Sequence, residues 1–155
     1  MRLLAIDPGP TESAWVAMRD DHVFGFNKYE NASILELIDE IGSDHLAIEM
    51  VACYGMPVGA EVFETVLWSG RFVERFGGPY TKVYRNEVKL NLCHSPRAND
   101  STIRQAIIDR FGGKERAIGR KATPGPLHGV SGDVWQALAV GLTWIDMHSR
   151  DARRA

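Results

Sequence analysis

Leu3-Leu4-Ala5-Ile6-Asp7-Pro8-Gly9 carries four apolar residues that run into a carboxylate and a Pro-Gly turn. Such a run reads as a short buried strand, residues 3–6, surfacing at Asp7. Residues 13–18 and 23–27 have strand patterns too, and three strands so closely spaced predict an antiparallel meander. Ser33 with Glu36 three residues on has the form of a capping box, predicting a helix to about residue 41. Residues 45–50 form a fourth strand, with Glu49 near its C-terminal end.

Further on, Val58, Val62, Phe63, Val66, Leu67, Gly70 and Val73 recur at helical spacing. They predict a helix over residues 57–76, stopped by Gly77-Gly78-Pro79. A fifth strand is expected over 80–84, then helices over 86–92 and 100–111. Residues 114–130, basic and rich in Gly and Pro, read as an irregular loop. The last helix, 131–148, buries Val134, Ala137, Leu138, Gly141, Leu142 and Ile145. Three consecutive strands followed by alternating helices and strands predict an α/β fold, a mixed five-stranded sheet with helices on both faces. It is expected to form one domain over 1–148, with a C-terminal tail over 149–155.

The composition suits a single globular domain: 155 residues, 45% hydrophobic and 25% charged. No apolar run approaches the roughly 18 residues of a membrane span, and the first four apolar residues are too few for a signal peptide. The expected location is the cytoplasm, bacterial or host. Cys53 and Cys93 suggest neither a disulfide framework nor a zinc site, and are expected as thiols in or near the core. Net charge is −2, but its distribution is uneven. Residues 1–81 hold 5 Lys/Arg against 13 Asp/Glu, whereas residues 82–121 hold 10 against 4. An acidic half beside a basic segment fits carboxylates that hold cations and a surface that holds phosphates.

Three carboxylates stand out. Asp7 ends the first strand, Glu49 lies at the end of the fourth among apolar neighbours, and Asp133 opens the last helix. Each alone has an ordinary explanation: a common turn, a solvated strand end, an acid favoured by the helix dipole. Together, with the first and fourth strands adjacent, they would gather at one sheet edge. Gathered carboxylates repel and require a cation. Hard ions, Mg²⁺ or Mn²⁺, suit oxygen ligands, and two such ions about 4 Å apart serve phosphodiester hydrolysis.

At these residues the chain resembles the RuvC-like Holliday junction resolvases of the RNase H-like superfamily. Leu4-Ala5-Ile6-Asp7-Pro8-Gly9 is similar to that family's first strand and first catalytic Asp. Ala47-Ile48-Glu49 resembles its catalytic Glu on the fourth strand, and Val88-Lys89 its phosphate-contacting lysine. Asp133-Val-Trp-Gln136-Ala-Leu-Ala resembles its C-terminal signature. The likeness implies an RNase H-like fold with an active site in which Asp7, Glu49 and Asp133 hold two metal ions and Lys89 neutralises the phosphate. There are departures. Gln136 stands where the family has a fourth carboxylate, so Gln136 or His128 is the candidate fourth ligand. A second family lysine is absent, and Arg97 or Arg104 is the candidate replacement.

The resemblance further implies a C2 homodimer that cuts a four-way junction by paired symmetric nicks, leaving 5′-phosphate and 3′-hydroxyl ends. The compact length suggests a phage-encoded member. Tyr54, between flexible neighbours, is the candidate aromatic that stacks at the junction centre. Lys82, Arg85, Lys89, Arg97, Arg104, Lys114, Arg116, Arg120 and Lys121 are candidates to track the DNA arms. Leu67, Trp68 and Phe72 divide between the sheet and a dimer seam in proportions that periodicity does not settle. The competing readings are an RNase H-like nuclease acting on flaps, forks or RNA–DNA hybrids, a non-catalytic junction-binding protein, and an actin- or sugar-kinase-like ATP-binding protein. The last is disfavoured because such folds need two domains.

Overall fold

A computed structural model describes residues 1–155. Strands β1 (Arg2–Asp7), β2 (Glu12–Arg19) and β3 (His22–Glu30) form the expected antiparallel meander. Helix α1 (Asn31–Ile41) carries the chain across to β4 (His45–Met50), which pairs parallel to β1. Helix α2 (Ala60–Phe76) makes the next crossover, to β5 (Tyr80–Tyr84), which pairs parallel to β4. Parallel neighbours cannot be joined by a tight turn, so each needs such a crossover. The sheet order is β3-β2-β1-β4-β5, a mixed five-stranded sheet as the sequence predicts.

Helices α3 (Arg85–Cys93) and α4 (Asp100–Arg110) follow, then α5 (Lys114–Ala117) and a small hairpin of β6 (Gly119–Arg120) and β7 (Thr123–Pro124). The long helix α6 (Val134–Arg154) ends the fold. Strand β1 is apolar on both sides because both sides are covered. Leu3 and Ala5 join the core under α6, while Leu4 and Ile6 join a second core under α1 and α2. Helix α6 approaches the sheet closely at Gly141, where a Cβ would come within 2.7 Å of Met18 Sδ and 3.1 Å of Ala5 Cβ.

Helix α2 settles how its apolar residues divide. Phe72 is fully buried against the sheet and Trp68 is partly buried, whereas Phe63 and Leu67 are 65% and 59% exposed. No helix is long and apolar enough to cross a membrane.

Several boundaries differ from the sequence reading. Ser33 is not a cap: α1 begins two residues earlier, and Glu30 at the cap position makes no side-chain capping bond. Asn31 instead turns inward to hydrogen-bond the β1–β2 turn, which draws the helix start forward. Helix α2 begins at Ala60 rather than at 57, with an extended Gly59 ahead of it. Residues 114–130 are not irregular throughout, since they contain α5 and the β6–β7 hairpin. A loop of Gly and Pro hides so short a hairpin from pattern reading. The last helix starts at Val134, after a left-handed Gly132, and runs past residue 148 to Arg154. Its extension is held by Arg150 donating to Asn91 (2.8 Å) and Arg153 donating to the Ser149 carbonyl (3.1 Å). Cys53 is exposed on a surface loop, not core, while Cys93 is partly buried; both are free thiols.

Candidate active site

The sheet register builds the first half of the site. Ile6 pairs with Ile48 in the parallel β1–β4 ladder, so the next residues, Asp7 and Glu49, emerge side by side. Alternation along each strand turns both toward the α6 face, the side of Ala5 and Ala47. The turn after Asp7 is locked by two buried polar residues. Asn31 donates to the Gly9 carbonyl (2.9 Å) and accepts from the Ser13 hydroxyl (2.6 Å). Ser13 in turn accepts the Gly9 N–H at 3.1 Å. Neither Ser13 nor Asn31 announces this in the sequence, because they lie 18 residues apart and join only through the fold.

The pair is electrostatically frustrated. Burial, then the charge of Glu49 and a hydrogen bond to it, then the charge of Asp133, push the Asp7 carboxyl up to about 9, with Arg85 opposing. Burial also raises Glu49, offset by its hydrogen bond with Asp7 and by Arg85. Two carboxyl groups held this way share a proton at neutral pH. A hard divalent cation is the natural replacement for that proton, so the pair fits one.

The third carboxylate stands apart. The side chain of Asp133 is 56% exposed and accepts from Lys28 Nζ at 2.7 Å, while Glu12 lies 3.8 Å from the same nitrogen. No three His, Cys, Asp or Glu side chains converge as a ready metal cage. Lys28 comes from β3, 105 residues away, and only the fold brings it to Asp133.

Arg85 is the larger surprise. Read as one of the residues along the DNA arms, it instead lines a cavity of about 200 Å³ together with Asp7, Glu49 and Tyr54. Its guanidinium donates through Nη1 to the Gln136 Oε1 and through Nη2 to Asp100. Asp100, a residue the sequence reading passed over, is the first of α4, whose N-cap Asn99 accepts from Thr102 N–H at 3.0 Å. Gln136 thus spends its side-chain oxygen on Arg85. Tyr54 is 61% exposed at the mouth of the cavity and has a left-handed backbone (φ 47°) followed by Gly55 at φ 81°.

The remaining candidates fall in three places. Lys89 lies four residues beyond Arg85 on α3, hence one turn along the same helix side. Arg104 lies over the Trp135 ring at 4.9 Å, and Arg97 is exposed just ahead of α4. Lys114, Arg116, Arg120 and Lys121 are exposed together on α5 and the hairpin. Two candidates are set elsewhere. Lys82 pairs with Ile48, so it leaves the sheet on the face opposite the carboxylates. His128 is outside the Asp7–Glu49 cavity, and its Nδ1 lies 3.0 Å from the Ile118 carbonyl.

No protein-family model and no curated protein sequence matches the chain. Solved structures do. The Thermus thermophilus RuvC structure superposes with a TM-score of 0.70, covering 96% of each chain at 16% identity. T. thermophilus RuvC in complex with Holliday junction substrate superposes at 0.69, covering 98% of this chain and 96% of that one at 15% identity. At such identity the likeness is one of fold, and from β1 to α6 this chain folds as RuvC does.

Proposed function

We propose that the chain is a metal-dependent endodeoxyribonuclease that resolves four-way DNA junctions as a C2 homodimer. The observation that carries this reading is the half-buried Asp7–Glu49 pair at the C-terminal ends of two neighbouring inner strands of a RuvC-like sheet. A carboxylate pair that neither folds comfortably nor serves the core has a use if it holds a cation.

Asp7 and Glu49 would hold the ion, with Asp133 at the rim. The chemistry such an ion supplies is polarisation of a phosphodiester and activation of water. The chain's own groups bind and orient. Arg85 and Lys89 present cationic N–H donors to the scissile phosphate, and Tyr54 offers a ring on which an unpaired base at the junction centre stacks. In the net reaction a P–O bond forms to a water oxygen and the P–O3′ bond breaks. The water gives up a proton and the 3′ oxygen gains one, leaving 5′-phosphate and 3′-hydroxyl ends. The basic residues of α5 and the hairpin would meet the backbone of a DNA arm, so binding should weaken steeply as salt rises.

Two symmetric nicks need two sites related by a twofold axis. Exposed Phe63, Val66 and Leu67 form an apolar strip on α2, the kind of surface that a monomer seldom leaves bare. The test is cleavage of a synthetic four-way junction beside linear duplex, flap and RNA–DNA hybrid, with Mg²⁺ and with EDTA. Paired Mg²⁺-dependent nicks confined to the junction are expected. Cutting of flaps or hybrids instead would reassign the substrate, and tight binding without any cutting would mark a non-catalytic junction-binding protein.

A further inference from the structure

Building on the nuclease reading, we propose that Arg85 occupies the role of a second cation, so that each active site takes one divalent ion and not two. Gln136 and Asp100 are then positioning residues for Arg85, and Gln136 is no metal ligand.

Three observations carry this. First, Gln136 has one side-chain oxygen to offer a metal, and that oxygen accepts from Arg85. An ion drawn to it would meet a guanidinium already in place. Second, Arg85 lines the same cavity as Asp7 and Glu49, so its charge acts where a phosphate would lie. A guanidinium has five N–H donors, of which Gln136 and Asp100 engage two. The rest remain for an anion, in a planar fork suited to phosphate oxygens.

Third, the charges close around a single ion. Arg85 has its own carboxylate in Asp100, and Lys28 has its own in Asp133. The Asp7–Glu49 pair is left with two negative charges when ionised, which one divalent ion neutralises. A second ion would bring two further positive charges into the cavity that the Arg85 guanidinium already lines. Like charges so close disfavour occupancy.

The test is Mn²⁺ titration of the purified full chain, followed by calorimetry and by the loss of the free-ion paramagnetic resonance signal. One Mn²⁺ per chain is expected. Two per chain would overturn the inference while leaving the nuclease reading intact, and none would remove the cation site and the inference with it. Arg85→Met is expected to retain one Mn²⁺ but to cut the junction about 100-fold more slowly in single turnover. Cutting within threefold of the parent would overturn the role given to Arg85. Gln136→Ala should slow cutting yet leave Mn²⁺ affinity unchanged, and Gln136→Glu, which keeps an acceptor for Arg85, should restore the rate. A tenfold loss of Mn²⁺ affinity in Gln136→Ala would make Gln136 a ligand after all. Wild-type protein that binds Mn²⁺ but cuts no DNA would instead defeat the nuclease reading, independently of the ion count.

Discussion

The two faces of the sheet are finished to different degrees. Under α6 lies the larger core, 24 buried residues that include the inner side of β1, β2, β4 and β5. Under α1 and α2 lies a core of nine, and the outer side of α2 leaves Phe63, Val66 and Leu67 in solvent. The catalytic candidates all open from the finished face, where Asp7 and Glu49 need rigid neighbours to be held against their mutual repulsion. The unfinished face has no chemistry but has apolar surface to bury. One side of the sheet thus carries the carboxylates on a packed core, and the other carries a bare apolar strip.

Breaking the finished face should have the largest effect on stability. Gly141→Leu forces a side chain against Met18 and Ala5, which the close α6–sheet approach does not accommodate. We expect a loss of about 3 kcal/mol, or a thermal midpoint about 10 °C lower, by calorimetry. A change of a degree or two would mean that α6 is free to move outward. Breaking the unfinished face should leave the fold alone. Phe63→Glu with Leu67→Glu should convert a sedimenting dimer to a monomer at micromolar concentration, with stability of the folded chain within about 0.5 kcal/mol per site. A parent protein that is already monomeric would remove α2 as the seam.

A subtler contrast is in pH. The Asp7 carboxyl, raised from 3.8 to about 9, keeps a proton in the folded chain that the unfolded chain has lost. The metal-free protein should therefore lose stability as pH rises across that interval. The window from pH 7 to 9 isolates the effect. There His45, lowered by burial, is mostly neutral in both states, and Asp39 and Asp146, lowered by their arginine partners, are ionised in both. In EDTA the urea midpoint should fall from pH 7 to pH 9, and Mn²⁺ should restore it. Asp7→Asn should flatten the slope. A midpoint that rises over this window would show that the pair is not strained.

Most of the frame was legible in the sequence. The strand of residues 3–6 and its continuation at Asp7, the Ala47-Ile48-Glu49 run and the stripe from Val134 to Ile145 each carry a local period, and local periods survive folding. Adjacency of Asp7 and Glu49 was expected only on condition that the first and fourth strands are neighbours, and the β1–β4 pairing meets that condition. What was not legible depends on pairs far apart in the chain. Lys28 meets Asp133, Asn31 meets Ser13, and Arg85 meets both Gln136 and Asp100 only after folding. Composition ranked Arg85 with the other basic residues, because charge alone does not distinguish a cation over a phosphate from one among carboxylates. Ser33 misled for a related reason: a capping box is a local pattern, and the tertiary bonds of Asn31 overrode it.

If the Asp7–Glu49 pair holds the ion that cuts DNA, Asp7→Asn removes that activity. The measurement is single-turnover cleavage of a four-way junction by wild type and by Asp7→Asn, each in Mg²⁺, with junction binding measured in parallel. Symmetric nicks by the wild type are expected, with a loss of at least about a thousandfold in Asp7→Asn and binding retained. Cleavage by Asp7→Asn at the wild-type rate would contradict it, and would place the chemistry elsewhere on the molecule.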